Sequence, residues 1–438
     1  MTPPESPAAE PGSHLARTAR PRVLLLAEAA NPEWVSVPLV GWSLARAIQG
    51  VTDAHLVTQV RNRDAILRAG LVEGRDFTAI DTEALAAPLW RAADRLGLGR
   101  AGGWSLLTAI SALSYPLFER KVWACFGAQI AGGGFDIVHR ITPVSLAIDS
   151  PIARRCAKAG VPFVLGPVNG ALPWPPGFDD HRRRERDRWG ALRGLARGLR
   201  GRASMLDHAA LILCGARSAW DDLPAAARGR SLILPENGID PTRFHRRAVQ
   251  DASLPLRGCF IGRLTALKGV DLLIDAAAPL LADGRMLLQI VGDGPERPAL
   301  EAQVAALGLG DAVRFHGWLD HTQVQDVAAR CHLLTFPSLR DFGGGAVLEG
   351  MALGLVPVVL DYGGPAELVD DATGFRIPMG SPAEVTARLR DRLTTLADDP
   401  AVLAGMAERC RETVARDLVW DAKAARIVGL YQEILARA

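Results

Sequence analysis

Two doubly wound α/β domains facing a central cleft are predicted for this 438-residue chain. Three observations carry the prediction. Short apolar runs alternate with helix-length amphipathic stretches, first from Val23 to Gly170 and again from Cys259 to Leu360, the pattern of parallel strands covered by helices on both faces. Between the two series lies Pro235–Phe244 (PENGIDPTRF), dense in turn residues, which reads as the link between domains. The length suffices for two or three domains with sizeable cores.

Residues 1–20 are rich in proline and alanine, with little periodicity, and are expected to form a disordered tail. Arg17, Arg20 and Arg22 before VLLLA mimic a secretion signal, but the apolar core falls short of the about 7 to 15 residues a signal peptide needs. Val23–Ala27 is better read as a first buried strand. Asn31–Val40 follows as a loop broken by Pro32 and Pro38, then Gly41–Ile48 as a helix. Gly41 either lets backbone approach a ligand or only shapes the turn. His55–Val60 reads as a second strand, and the region to Gln129 as mostly helical. No run reaches the about 20 apolar residues of a membrane span, and the nearest approach, Trp104–Phe118, carries Ser105, Thr108, Ser111 and Ser114.

Next come strand Ile137–Ile141, a helix through Cys156, and strand Phe163–Gly170. His139 lies near the C-terminal end of its strand, the edge where open α/β sheets bind ligands; it is either a satisfied core group or a catalyst. His181–Arg202 carries nine arginines, with Trp189, Leu192, Leu195 and Leu199 at helical spacing. That basic amphipathic helix either packs on its own domain or lies on an anionic membrane surface. Ala209–Cys214 and Leu232–Leu234 are short strands. The expected division is residues 21–235 for the first domain, 236–415 for the second, and 416–438 for a C-terminal helix crossing back to the first.

The second series runs strand Cys259–Ile261, helix Val270–Leu281, strand Met286–Val291, helix Pro298–Leu307, strand Val313–His316 and helix Gln323–Ala329. Its last unit carries the chemistry: strand Leu333–Pro337, the glycines Gly343, Gly344 and Gly345, helix Ala346–Leu353 closed by Gly354, and strand Val356–Leu360. A glycine loop opening a helix brings bare N–H groups and a helix N-terminus to one place, a site for a phosphate or another anion. Asp341 and Glu349 bracket it with seven residues between them. Glu349 falls outside the apolar stripe of Val347, Leu348, Met351 and Ala352, free to point at a cleft or at water. Either residue is also explained without a ligand, by the helix dipole or by plain exposure.

Arg263 and Lys268 sit in the loop between a strand and a helix start, where a cation is unfavourable unless an anion is bound. With the glycine loop at the same sheet edge, they argue for a diphosphate. Carboxylates beside a diphosphate accept hydrogen bonds from sugar or ribose hydroxyls, which favours a nucleotide sugar over free pyrophosphate. Gly292–Arg297 (GDGPER) lacks the third glycine of a dinucleotide fingerprint and is read as a turn into a helix. AEAANPEW after the first strand supplies no such fingerprint either, so hydride transfer with NAD is disfavoured.

The net charge of +2 gives no reason to expect nucleic-acid binding. Six scattered cysteines without a CxxC pair read as buried thiols in a reducing compartment, and the nine histidines show no short metal spacing.

These residues resemble the retaining glycosyltransferases of family 4, known as glycosyl transferases group 1, which have the GT-B fold of two Rossmann-like domains. NGID with Phe244, GRLTALKGVDLLIDA, LLQIVGDGPERPALEAQ, VRFHGWL, PSLRDFGGGAVLEGMALGLVPVV and GGPAEL appear in the family's order; FDIVHR and GPVNGALPWP carry a weaker match in the first domain. The resemblance implies transfer of a sugar from a nucleotide-diphosphate sugar to a sugar or lipid-linked acceptor hydroxyl, with retention of configuration, no metal and no cofactor. It implies a cytoplasmic setting in polysaccharide or glycolipid assembly, peripheral at the inner membrane face if the basic stretch 181–202 touches lipid. By position, Arg263 and Lys268 would neutralise the leaving diphosphate, Glu349 would hold the donor ribose and Asp341 the transferred sugar. Gly343, Gly344 and Gly345 would give N–H groups to sugar and phosphate. His139 would approach the sugar across the cleft, Gly41 would match the glycine of the first loop, and Gly317 and Trp318 would lie beside the nucleobase. Two departures stand out: Asp341 replaces the family's usual glutamate and is followed by an extra glycine, and the opening loop lacks a double glycine. The same architecture also serves nucleotide-sugar epimerases, phosphorylases and non-catalytic nucleotide-sugar-binding subunits.

Overall fold

The structure is a computed structural model that describes residues 20–83, 103–185 and 200–437, the side chains of 103–113 and 200–202 excepted. The predicted tail therefore lies outside the described residues apart from Arg20, as does 186–199 of the basic stretch.

The first sheet holds β1 (Arg22–Ala27), β2 (Asp53–Gln59), β3 (Phe77–Ile80), β4 (Ile137–Thr142), β5 (Phe163–Val168), β6 (Leu211–Cys214) and β7 (Ser231–Ile233). Their order is β3-β2-β1-β4-β5-β6-β7, with every pair parallel. The second sheet holds β8 (Leu256–Ile261), β9 (Met286–Val291), β10 (Val313–Gly317), β11 (Leu333–Phe336), β12 (Val356–Leu360) and β13 (Phe375–Ile377), in the order β10-β9-β8-β11-β12-β13, also parallel throughout. Each sheet is covered on both faces, so the central strands are apolar on both sides: Val23 to Ala27 and Val356 to Leu360 are buried without interruption. Strand order reverses between β1 and β4 in one sheet and between β8 and β11 in the other. At such reversals the loops leave in opposite directions and open a crevice at the strands' C-terminal ends.

Two strands escape the sequence pattern. β3 falls in the region read as mostly helical; it is a short edge strand in which only Phe77 and Ile80 are buried, too brief for its alternation to register. β13 has three residues and one buried side chain. The thiols are also not uniformly buried: Cys125 is exposed, the other five buried.

The chain crosses between the domains more often than a single link at Pro235 would require. Phe178 belongs to the second domain's core, and Arg184, at the end of helix Asp179–Arg184, pairs with Asp271 at 2.6 Å and Glu296 at 2.8 Å. The segment from Phe178 to Arg184 is thus part of the second domain's surface, although the division at 235 assigns it to the first. Of the described arginines of the basic stretch, Arg184 thus spends its charge on acidic residues of the second domain, and Arg183 pairs with Asp180 of its own helix. No helix among the described residues is long and apolar enough to cross a membrane.

Helix Trp420–Arg437 returns to the first domain and packs on helix Val37–Val51. Its Ala424, Ile427 and Tyr431 are fully buried in one cluster with Leu25, Leu44 and Ile48. At the centre of this contact His139 is held from both sides: Nε2 donates to the Gly166 carbonyl at 2.6 Å, which leaves Nδ1 to accept from the Tyr431 hydroxyl at 2.5 Å. Tyr431→Phe removes that donor and leaves a buried ring nitrogen unmet, and is expected to cost about 1–3 kcal/mol, read as a lower urea midpoint. Burial pushes the His139 pKa from 6.5 down to about 4. The unfolded chain then binds the proton more readily than the native one, so stability is expected to be complete above pH 6.5 and to fall through the window down to about 4; denaturant titrations at stepped pH check this.

Candidate active site in the interdomain cleft

Between the two sheet edges lies a cavity of about 720 Å³. The first domain contributes Val35–Val37, Leu39, Val40, Ser43 and the turn Asn169–Leu172; the second contributes Glu236–Asp240, Arg243, Phe244, Trp318, Leu319, His321 and most of Arg340–Glu349. The first-domain wall follows β1 and is fixed by Thr142 at the end of β4. That hydroxyl accepts from Ala29 N–H at 3.0 Å and donates to the Ala29 carbonyl at 3.1 Å. Ser36, just before helix Val37–Val51, sits at φ +64°, a left-handed conformation that a non-glycine residue adopts only under constraint.

The second-domain wall is the glycine loop after β11. Gly344 at φ +58° starts helix Gly345–Leu353, and Gly354 at φ +85° ends it. Asp341 accepts from Gly344 N–H at 3.0 Å through one carboxylate oxygen and forms an ion pair with Lys268 through the other. Burial alone would raise the Asp341 pKa, but Lys268 and the N–H groups of Gly344 and Gly343 hold it below the usual carboxylate value. The Lys268 ammonium also lies 4.8 Å from the centre of the Phe336 ring.

Lys268, Asp341 and the glycines therefore converge. Neither Lys268 nor the exposed Arg263 is part of the cavity lining; Lys268 is tied to it through its ion pair with Asp341. Glu349 lines the cavity; burial pushes its pKa up to about 7, against the opposing charge of Arg243. Trp318 stands at the rim, 77 % exposed, with Gly317 at φ +71° beside it. Phe244 and His321 meet close by at a tilt of 58°, ring centres 4.6 Å apart.

Two sequence-predicted site residues are corrected. His139 does not approach the cleft: it is 0 % exposed, and both ring nitrogens are engaged by Tyr431 and Gly166 in the core. Gly41 lies inside helix Val37–Val51, where a Cβ would sit 2.2 Å from the Ala29 carbonyl oxygen and 3.0 Å from the Thr142 methyl. It is glycine because the helix crosses that backbone closely, and it offers nothing to a ligand.

Sequence reasoning missed the base of the cavity. Pro235–Phe244, read as a link, also forms its floor: Asn237 Nδ2 donates to the Gly343 carbonyl at 3.0 Å, and a Cβ on Gly343 would lie 2.3 Å from that nitrogen and 2.4 Å from Glu236 Oε1. Glu236 is 9 % exposed, and its Oε2 has no hydrogen-bond partner; Asn169 Oδ1, also on the lining, has none either. Burial pushes the Glu236 pKa up to about 7, Asn169 lowers it, Asp341 raises it and Lys423 lowers it. Lys423, on the returning helix, is pushed down to about 7 by burial and donates to the carbonyls of Pro235 and Asn237. For Asn169 a signal existed, since it follows β5 at the same C-terminal edge as the glycine loop.

Residues 246–412 match the family described as Glycosyl transferases group 1. The chain therefore carries a glycosyl transferases group 1 domain, and it is the domain that supplies Lys268, Asp341, the glycine loop and Glu349. Among curated proteins, the chain is 34% identical over 177 residues to the alpha-D-kanosaminyltransferase of Streptomyces kanamyceticus, covering 40% of this chain and 45% of that protein. It is 31% identical over 208 residues to the D-inositol 3-phosphate glycosyltransferase of Streptomyces avermitilis, covering 45% and 43%. The chain thus spans somewhat less than half the length of these two relatives. Among solved structures, HepE of Anabaena in complex with UDP superposes with a TM-score of 0.59 at 18% identity, covering 94% of this chain and 100% of that one. The fold is GT-B.

Gly343→Ala is expected to push Glu236 and Asn237 aside and to cost about 1–3 kcal/mol, as small-to-large changes in packed sites do. The check is a fall in the urea midpoint larger than that of Gly345→Ala, whose Cβ would meet nothing closer than 3.6 Å.

Proposed function

We propose that this protein is a glycosyltransferase that moves a sugar from a nucleotide-diphosphate sugar to an acceptor hydroxyl with retention of anomeric configuration. The observation that carries the reading is the coincidence of the matched domain with Asp341, Gly343, Gly345 and Glu349 on the cavity lining, Asp341 being held by Lys268 and the Gly344 N–H. In this reading the donor diphosphate competes with Asp341 for the Lys268 ammonium. Once Lys268 turns to phosphate, Asp341 is released to accept a hydrogen bond from the transferred sugar. Arg263 closes on the diphosphate from solvent, so the charge of the leaving group falls on two cations and the bare N–H groups rather than on a metal ion. Glu349 accepts from the ribose, and Trp318 covers the base at the rim. Retention requires the acceptor hydroxyl to arrive on the face the diphosphate leaves, which puts the acceptor against the first-domain wall. The pathway, polysaccharide or glycolipid assembly in the cytoplasm, is carried over from the family resemblance.

Lys268→Ala is expected to lower kcat/KM for transfer by about 10²–10³-fold, the scale of losing one preorganised charge in an active site, and Glu349→Ala to abolish measurable donor binding. Both proteins should melt cooperatively. Full activity in both would remove the assigned donor site, and conversion of the donor without any acceptor would point to an epimerase instead. With its pKa near 7, Glu349 gains its charge as pH rises, so donor affinity is expected to strengthen from pH 6 to pH 8, measured by calorimetric titration with UDP, GDP, ADP and dTDP sugars.

A further inference from the structure

We infer that the segment from Leu172 to Glu185, an excursion of the first domain's chain, is a clamp on the loop that carries Lys268, with Glu185 as the positioning residue that fixes the loop from outside. That the loop serves a diphosphate rests on the donor-site reading above; the clamp itself rests on geometry.

The loop leaves β8 and ends at Gly269, where helix Val270–Ala282 begins. Its inner side is fastened to the segment that follows β11. Leu339 N–H donates to the Leu267 carbonyl at 2.8 Å, and the Ser338 hydroxyl donates to the same oxygen at 3.3 Å. A Cβ on Gly269, at φ +63°, would lie 2.4 Å from the Pro337 carbonyl oxygen, so the two backbones touch. The short turn Ala266–Lys268 cannot satisfy its own first N–H groups, as no helical turn can. That of Leu267 donates to Glu185 Oε2 at 3.3 Å.

Glu185 lies between β5 and β6 in sequence, yet the chain that brings it there is tied to the second domain from its start. The Leu172 carbonyl accepts from Arg340 Nε and the Pro173 carbonyl from the Tyr362 hydroxyl, each at 2.8 Å. Phe178 is 1 % exposed within the second domain's core. His181 and Arg184, one helical turn apart, then converge on Asp271: His181 Nε2 lies 3.0 Å from Asp271 Oδ2, and Arg184 reaches the same oxygen while its other arm holds Glu296. Burial by itself would raise the Asp271 pKa; His181 and Arg184 hold it below the usual carboxylate value. Asp271 stands in the first turn of helix Val270–Ala282, three residues after Lys268.

Phe178 already anchors the segment by burial, and half-exposed ion pairs add little to stability. What the polar contacts add is direction. They land on the residue before Lys268 and on the helix turn just after it, so the backbone that bears the lysine is gripped from both ends. Only its side-chain torsions remain, and these aim the ammonium at Asp341, 4.8 Å from the centre of the Phe336 ring. A cation placed in advance costs less to order when an anion arrives.

The test uses the full chain and its Glu185→Ala, Glu185→Gln and Arg184→Ala variants. Amide hydrogen exchange is read by mass spectrometry on peptides covering residues 262–271. Calorimetric titration with UDP, GDP, ADP and dTDP is compared with titration by the matching monophosphates. One hydrogen bond is worth about three- to ten-fold. Glu185→Ala and Arg184→Ala are each expected to speed exchange in the loop and to weaken diphosphate binding by that factor, with monophosphate binding changed less than about two-fold. Glu185→Gln should keep the original values, because its amide oxygen still accepts. Alanine and glutamine remove the same negative charge, so the difference between them isolates the hydrogen bond. Unchanged exchange in either alanine variant, faster exchange with unchanged diphosphate affinity, an equal loss for the monophosphates, or a glutamine variant as impaired as the alanine one would overturn the inference. If none of the four diphosphates binds the unaltered chain, the donor-site reading fails, and the exchange rates alone decide whether the clamp stands.

Discussion

The cleft depends on the contact between a glycine without a side chain and the segment that joins the domains. Gly343 lies so close to Glu236 and Asn237 that no Cβ fits between them, and Asn237 ties itself to the Gly343 carbonyl. That contact welds the loop after β11 to the joint between the sheets. Everything that converges on the cavity is placed relative to it: Asp341 two residues before, Glu349 on the helix that follows, Glu236 on the joint itself. A parallel sheet delivers its loops to one edge, but delivery alone leaves them several ångströms of freedom. The weld removes that freedom.

Much of this was legible in the sequence, and the reasons differ by element. The unit around the glycine loop was clear because its strands are buried on both faces and so read as continuous apolar runs, and because Gly344 and Gly354 occupy left-handed positions that few other residues tolerate. The direction of His139 was not legible. In a strand with one wet face, alternation tells which side chains look inward; in β4 all six residues are buried, so the pattern carries no contrast. Its position near the productive edge suggested a catalyst, and only Tyr431, 292 residues away, shows why it is a core residue. Glu236 was hidden for a different reason. Turn residues that link domains and turn residues that floor a cavity have the same composition, and burial of a carboxylate depends on neighbours distant in sequence.

The cavity is also a study in charges that cancel locally. Asp341 keeps its charge because Lys268 and two backbone N–H groups outweigh burial; Glu349 and Glu236, with weaker compensation, sit at about 7. Asp341 thus differs in protonation at neutral pH from the two glutamates of the same cleft because its surroundings differ, not its chemistry. Lys268 and Asp341 neutralise each other at the edge of this cleft.

Two of the covalent passages between the domains lie side by side. Ile239, just past the joint, exchanges backbone hydrogen bonds with the start of the returning segment, accepting from Trp420 N–H at 3.1 Å and donating to the Leu418 carbonyl at 2.9 Å, while the Trp420 ring fills the space above Gly238. Two adjacent threads stitched together behave like the pins of a door. Sliding or twisting of one lobe across the other would break these two hydrogen bonds, whereas a swing about the line through them would leave them intact.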